Sequence, residues 1–245
     1  MKREASLAAA LAVVVSGCGV RGRAPGRPSP DSQVTPPDKV TAFAQLYGAN
    51  CAGCHGAEGK GGAAVALNDP LYVALVDDAT IRRVVSDGMP GTAMPAFAQS
   101  AGGMLTDEQV AAIAGGIRTR WARPDALRGV DLPPYAAPVA GDAKRGATVY
   151  AEYCSSCHGA NGRGGERASS IVDGSFLALV SNQSLRTTVI VGRPELGAPD
   201  WRGNVPGRPM SQEEISDVVA WLVAQRPEVP GQPYPAAQTA RGGRQ

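Results

Sequence analysis

The residues best able to do chemistry fall in two short runs, Cys51-Ala52-Gly53-Cys54-His55 and Cys154-Ser155-Ser156-Cys157-His158. His55 and His158 are the chain's only histidines, and Cys18 is its one other cysteine. Positions i, i+3 and i+4 share one face of a helical turn, so each run turns two thiols and an imidazole the same way. Four chemistries use such a group. A redox dithiol needs one copy, in a strand-to-helix setting that neither run has. Structural zinc needs a fourth ligand per site, and no further histidine or cysteine pair exists to supply it. A disulfide across each pair has no use for a histidine. Cys-x-x-Cys-His is the pattern of c-type haem attachment, in which the thiols reach two vinyl groups on one porphyrin edge and the histidine turns inward to iron.

The two runs lie 103 residues apart, and Tyr47 matches Tyr150 at that spacing. Further on the spacing is 104: LYVALV from Leu71 matches SFLALV from Ser175, Gly88 matches Gly192, and Met94-Pro95-Ala96-Phe97 matches Ala198-Pro199-Asp200-Trp201. In the last helix it is 105. One architecture is used twice. Each copy is predicted to hold a first helix from about Asp38 or Asp142 to the first cysteine. A middle helix starts near Asp78 or Ser181 and stops at Gly88 or Gly192. The last opens on a capping-box pattern, TDEQ at Thr106 or SQEE at Ser211. Its apolar spacing runs through Val110, Ile113 and Ile117, or Ile215, Val218, Val219 and Leu222. Alternating strand patterns are nearly absent, so the fold is predicted all-α. Aromatics make up 5% of the 245 residues, beside 31 Gly and 20 Pro. A repeat of about 80–100 residues so composed buries little apolar surface, and a covalently held macrocycle would supply the missing apolar mass.

The N-terminus has the form of a processing signal: Lys2 and Arg3, then an apolar run from Leu7 to Val15 too short to span a bilayer. Val15-Ser16-Gly17-Cys18 resembles a bacterial lipobox, implying cleavage before Cys18 and lipidation of that cysteine; the alternative is an ordinary secretory leader with an unrelated cysteine. Two or three acyl chains anchor stably, whereas one binds marginally. The expected organisation is a signal peptide (1–17), a lipid-anchored flexible tether (18–37), a first domain (38–121), a Pro-rich linker (122–141), a second domain (142–227) and a disordered tail (228–245). Net charge is +2, or +1 once Lys2, Arg3 and Glu4 are removed, with signs interspersed. Nothing in it points to nucleic acid.

CAGCHG and CSSCHG, the Met94-Pro95 loop and a terminal helix after LTDEQ or MSQEE resemble the class I cytochrome c family, over about residues 38–121 and 140–227. The tandem arrangement is similar to periplasmic dihaem electron carriers and to the dihaem subunits of bacterial respiratory oxidases. The resemblance implies two tandem domains of about three to five short helices, each around one covalent haem c, two in all. It implies histidine on one side of each iron and usually methionine on the other, and one-electron transfer with no chemistry on a substrate. Gly59, Gly61 and Gly62, like Gly162, Gly164 and Gly165, follow the motifs without the Gly-Lys-Ser/Thr of a phosphate loop. They suit tight turns and close approach to the haem.

The copies diverge at the sixth iron ligand. With two histidines, bis-histidine ligation of both haems is excluded. Met89, Met94 and Met104 are available in the first copy, and Met94 is the expected ligand because it matches the family's Met-Pro loop, with Met89 the runner-up. A His/Met pair raises the potential. In the second copy Ala198 stands at the place of Met94, and alanine cannot bind iron. The one methionine there, Met210, aligns with Leu105. It either packs as a hydrophobic staple on the last helix or, with the loop 197–209 rearranged, ligates iron. One packing expectation follows from the same alignment. Phe43 aligns with Gly146, and Gly116 with Trp221, so first and last helices should cross with one large and one small residue, sides exchanged. The favoured function is a lipid-anchored electron shuttle on the periplasmic side of a bacterial membrane, exchanging electrons with other respiratory redox proteins, or the same role as a subunit of a respiratory complex. The rival is a haem enzyme or sensor whose open second haem meets peroxide or a diatomic gas.

Overall fold

Among the described residues there are ten α-helices, five per repeat, most of them opened by a local side-chain cap. The computed structural model describes residues 34–228. The expected signal peptide, the lipidation site Cys18, the tether up to residue 33 and the tail from 229 lie outside the described residues. The first repeat comprises α1 (Phe43–Asn50), α2 (Ala52–His55), α3 (Pro70–Leu75), α4 (Asp78–Asp87) and α5 (Asp107–Trp121). The second comprises α6 (Ala143–Tyr153), α7 (Ser155–His158), α8 (Gly174–Ala178), α9 (Asn182–Val191) and α10 (Gln212–Ala224). Among the described residues there is no strand, only isolated bridges such as Ala98 with Leu105.

Both expected capping boxes form. Thr106 and Ser211 accept from the N–H of Gln109 and Glu214, and those side chains accept from the cap residues' own N–H groups in return. The middle helices end at Gly88 and Gly192, both at a positive φ that glycine adopts without a Cβ penalty. Asp142 caps α6 by accepting from Arg145 N–H at 2.8 Å. The first helix is shorter than its sequence suggests: Asp38 sits in a separate 3-10 turn, and α1 begins only after Ala42, which offers no capping side chain. The short helices α3 and α8 were not anticipated. Asp69 and Asp173 open them, each accepting from two backbone N–H groups.

First and last helices cross with the expected exchange. A Cβ built on Gly116 of α5 would lie 2.0 Å from Phe43 Cδ2 of α1. One built on Gly146 of α6 would lie 2.0 Å from the Asp217 carbonyl oxygen and 2.8 Å from Trp221 Cβ of α10. The glycine admits the aromatic in one crossing and the partner's backbone in the other.

The repeats join through one apolar core that draws on both, with α3 packed against α9. The Pro-rich connection is held down rather than free. Arg186 of α9, 2% exposed, donates Nη2 to Pro134 O at 2.9 Å and Nε to Tyr135 O at 3.1 Å. Gln183 Nε2 donates to Tyr135 O at 2.8 Å. Carbonyls without a carboxylate thus satisfy a buried guanidinium, and burial lowers its pKa from the usual arginine value. Among the described residues no helix is long and apolar enough to cross a membrane.

Candidate haem sites

Each Cys-x-x-Cys-His run occupies a single helical turn directly after the first helix of its repeat. Cys51 and Cys154 are the hinge residues between α1 and α2 and between α6 and α7. The cysteine N–H stays bonded back to Tyr47 O or Tyr150 O, at 2.8 and 2.9 Å. The backbone then leaves through Gly56 and Gly159, at φ 81° and 77°, where an added Cβ would strike the Lys60 or Gly164 carbonyl. Tyr47 and Tyr150 pin that exit, their hydroxyls donating to Gly56 O (2.8 Å) and Gly159 O. Burial, helped by Cys51 and Glu58, pushes the Tyr47 phenol up to about 12, so it remains a donor throughout the physiological range.

Both histidines are oriented alike. His55 Nδ1 lies 2.9 Å from Val65 O, and His158 Nδ1 lies 2.8 Å from Ser169 O. A carbonyl only accepts, so Nδ1 carries the proton and Nε2 keeps its lone pair for a metal. Burial, with a smaller contribution from Arg193, lowers the His55 pKa and favours that neutral form. Within each motif the structure brings the cysteines and histidine onto one turn.

Burial first, and the neighbouring cysteine second, push Cys51 and Cys154 up to about 11. A catalytic dithiol requires a depressed value. The four cysteines of the two motifs are free, and among the described residues no three His, Cys, Asp or Glu side chains converge to hold a metal ion. Paired unbridged thiols and a tautomer-fixed imidazole suit a haem held by two thioethers and one axial nitrogen. A haem held there would supply a one-electron Fe(III)/Fe(II) couple, with Cys51, Cys54 and His55, or Cys154, Cys157 and His158, as its attachment and axial nitrogen.

The match of a family model decides the assignment: the model described as cytochrome c oxidase, cbb3-type, subunit III, matches residues 38–115 and again 141–222. The chain belongs to this cytochrome c family. Its members carry haem c, and this cytochrome is an electron carrier rather than an enzyme. It is similar to the cytochrome bc1 complex cytochrome c subunit of Corynebacterium diphtheriae, 27% identical over 95% of this chain and 83% of that protein. It is also similar to the cbb3-type cytochrome c oxidase subunit CcoP of an Azospirillum species, 31% identical over 48% of this chain and 38% of that one. Of solved structures, the reducing HAO-like protein complex of Kuenenia stuttgartiensis is 19% identical, covering 79% of this chain and all of that chain at a TM-score of 0.45.

The cytochrome's loops that lead to Phe97 and Trp201 share two backbone hydrogen bonds. Met89 N–H donates to Met94 O at 3.0 Å, and Arg193 N–H donates to Ala198 O at 2.9 Å. Phe97 N–H donates to Ser86 O and Trp201 N–H to Ile190 O, both at 3.2 Å. Met94 and Ala198 are therefore structural as well as sequence counterparts, and so are Met89 and Arg193. The Met89 sulfur lies 3.9 Å from the Ser184 hydroxyl of the second repeat, and Met104 is 83% exposed. Met210 is 4% exposed, and its N–H donates to Trp201 O at 2.9 Å just as Leu105 N–H donates to Phe97 O at 2.8 Å. This is the staple position before the last helix. From Trp201 to Met210 the second loop carries one residue more than the first carries from Phe97 to Leu105.

Two further features have no motif to announce them. Arg193 donates Nη2 to Gly62 O at 2.8 Å, in the loop that follows His55, and pairs with Glu195 at 2.6 Å. The far-side loop of the second repeat thereby rests on the His55 loop of the first. Gly59 and Gly162 take positive φ, as tight turns require, and also leave room for side chains: Trp121 at Gly59, and Val172 with Trp221 at Gly162.

Proposed function

We propose that the chain is a dihaem electron-transfer subunit, holding one haem c through Cys51 and Cys54 with His55 on its iron and a second through Cys154 and Cys157 with His158. Met94 is the ligand opposite His55: its loop matches the family's Met-Pro loop, and Met89 faces the other repeat. The observation that carries this reading is the repetition of one construction: a Cys-x-x-Cys-His turn, a tyrosine on the exit glycine's carbonyl, and a histidine whose Nδ1 is tied to a carbonyl. The similarity to a named bc1 complex cytochrome c subunit over most of both chains supports a place in such a respiratory complex. There single electrons would pass from that complex to a periplasmic or membrane acceptor. Lipidation of Cys18 would tether it to the membrane, with domains at 38–121 and 142–227 on the periplasmic side.

The test is purification of the full chain from membranes, haem counting by pyridine haemochrome, and a potentiometric titration. Two covalent haems per chain and two one-electron steps are expected; fewer haems, or removal by acid acetone, would refute the reading. Met94→Ala should turn one haem high-spin, and Cys18→Ser should release the protein from membranes.

A further inference from the structure

We propose that the second haem is an open site, with no side chain bound opposite His158, and that its ferrous iron takes a small neutral diatomic ligand. This rests on the reading that a haem is attached at Cys154 and Cys157. The chain has five methionines. Met1 lies outside the described residues, and Met89, Met94 and Met104 belong to the first repeat. At the two positions where the first repeat has a methionine beside its Met-Pro loop, the second has Arg193 and Ala198. Their backbones share the hydrogen bond that joins Met89 to Met94, so Ala198 stands at the place of Met94 in space as well as in sequence.

The remaining donors are occupied or misplaced. Arg193 is committed to Glu195 and Gly62 O, and a guanidinium has no lone pair to offer. Tyr150 and Tyr153 hydroxyls are bound to Gly159 O and Glu214. Met210 fills the slot that Leu105 fills in the first repeat, its backbone fixed by Trp201. Leucine fills that place in the first repeat, so the slot accepts plain apolar volume. The chemistry selects the ligand class. With both histidines used on the near side, no imidazole is left to move a proton, so the site suits binding of a neutral ligand rather than cleavage of peroxide.

The experiment is a carbon monoxide titration of the dithionite-reduced full chain, its haem content measured on the same sample. One equivalent of carbon monoxide per two haems is expected. Ala198→Met, which restores the residue of the first repeat, should abolish that binding and turn the second haem low-spin. Met210→Leu, the residue its counterpart already carries, should leave spectrum and stoichiometry unchanged. Two haems with no carbon monoxide bound, or a new binding site created by Met210→Leu, overturns the open site while leaving the dihaem reading intact. A haem count of one overturns the dihaem reading itself.

Discussion

Replacing Gly146 by alanine tests how tightly the second repeat is built, and three glycines serve as an internal scale. Alanine in a helix interior is favoured over glycine by about 0.5–1 kcal/mol. Gly115 of α5 is exposed with nothing near its Cβ position, so Gly115→Ala should gain about that much. Its neighbour Gly116 would place Cβ 2.0 Å from the Phe43 ring. That ring is a side chain and can swing, so Gly116→Ala should lose about 1 kcal/mol, recovered in part by adding Phe43→Leu. Gly146 meets the carbonyl of Asp217 at 2.0 Å, where contacts below 3.0 Å essentially never occur. Backbone cannot rotate away, so α6 and α10 must part by about 1 Å, forfeiting dispersion contacts along the crossing. The expected loss is about 2–3 kcal/mol, the upper range for overpacking. Urea titrations of the holoprotein followed by far-ultraviolet circular dichroism give the midpoints, with each repeat allowed its own transition. The expected order is Gly115→Ala above the parent, then Gly116→Ala, then Gly146→Ala. A Gly146→Ala protein as stable as Gly115→Ala would refute the close crossing.

Three other outcomes follow. Tyr150→Phe removes the hydroxyl bond to the exit glycine and should cost about 1 kcal/mol, read as a lowered urea midpoint. Asp217, which accepts from Asp142 N–H at 2.6 Å and from Arg145 at 2.7 and 2.8 Å, is held below the usual carboxylate range chiefly by the Arg145 hydrogen bond. Its contribution is therefore complete above the ordinary aspartate pKa and lost as pH falls through the depressed native value. Asp217→Asn should cost about 1.5–3 kcal/mol at neutral pH and flatten the acid side of the stability profile. Arg193→Gln removes a cation beside His55 and should lower the first haem's midpoint potential, because a nearby positive charge favours the ferrous state; an unchanged potential by spectroelectrochemical titration would refute it.

Much of this was legible in the sequence because the signals are local. Capping boxes, stop glycines and the Cys-x-x-Cys-His turn each depend on side chain and backbone within four residues. The exchange of Phe43 and Gly116 for Gly146 and Trp221 was legible only because the chain carries its own alignment. What stayed hidden depends on distance. Asp69-Pro70 is a helix start by its chemistry, but α3 is too short to show a period. Arg193 reaches a carbonyl 131 residues away, and no spacing rule encodes that. The docking of Pro134 and Tyr135 on Arg186 is hidden likewise, since proline content describes a connection's stiffness and not what it rests on.

The terminal helices give the Ala198 difference its weight. Arg118 of α5 donates to Val73 O and, at 2.7 Å, to Val76 O and Asp78. Arg226, just past α10, donates to Leu177 O (3.1 Å), Val180 O (2.7 Å) and Asn182 (2.6 Å). The three partners correspond at a constant spacing of 104, yet the arginines are 108 apart. Trp121 packs edge-on to Tyr47 and reaches Gly59, and Trp221 stacks on Tyr150 at 4.1 Å and reaches Gly162, although these tryptophans are 100 apart. The order of arginine and tryptophan along the helix is reversed, and both groups still arrive at equivalent sites. Where the fold needs a group, a different position supplies it once the original is lost. At the place of Met94 the second repeat has Ala198, in a loop where the Met89–Met94 backbone bond recurs as Arg193–Ala198, and its one methionine, Met210, stands where the first repeat has Leu105. The side chain at this loop position thus differs between the repeats while the backbone bond beside it is kept.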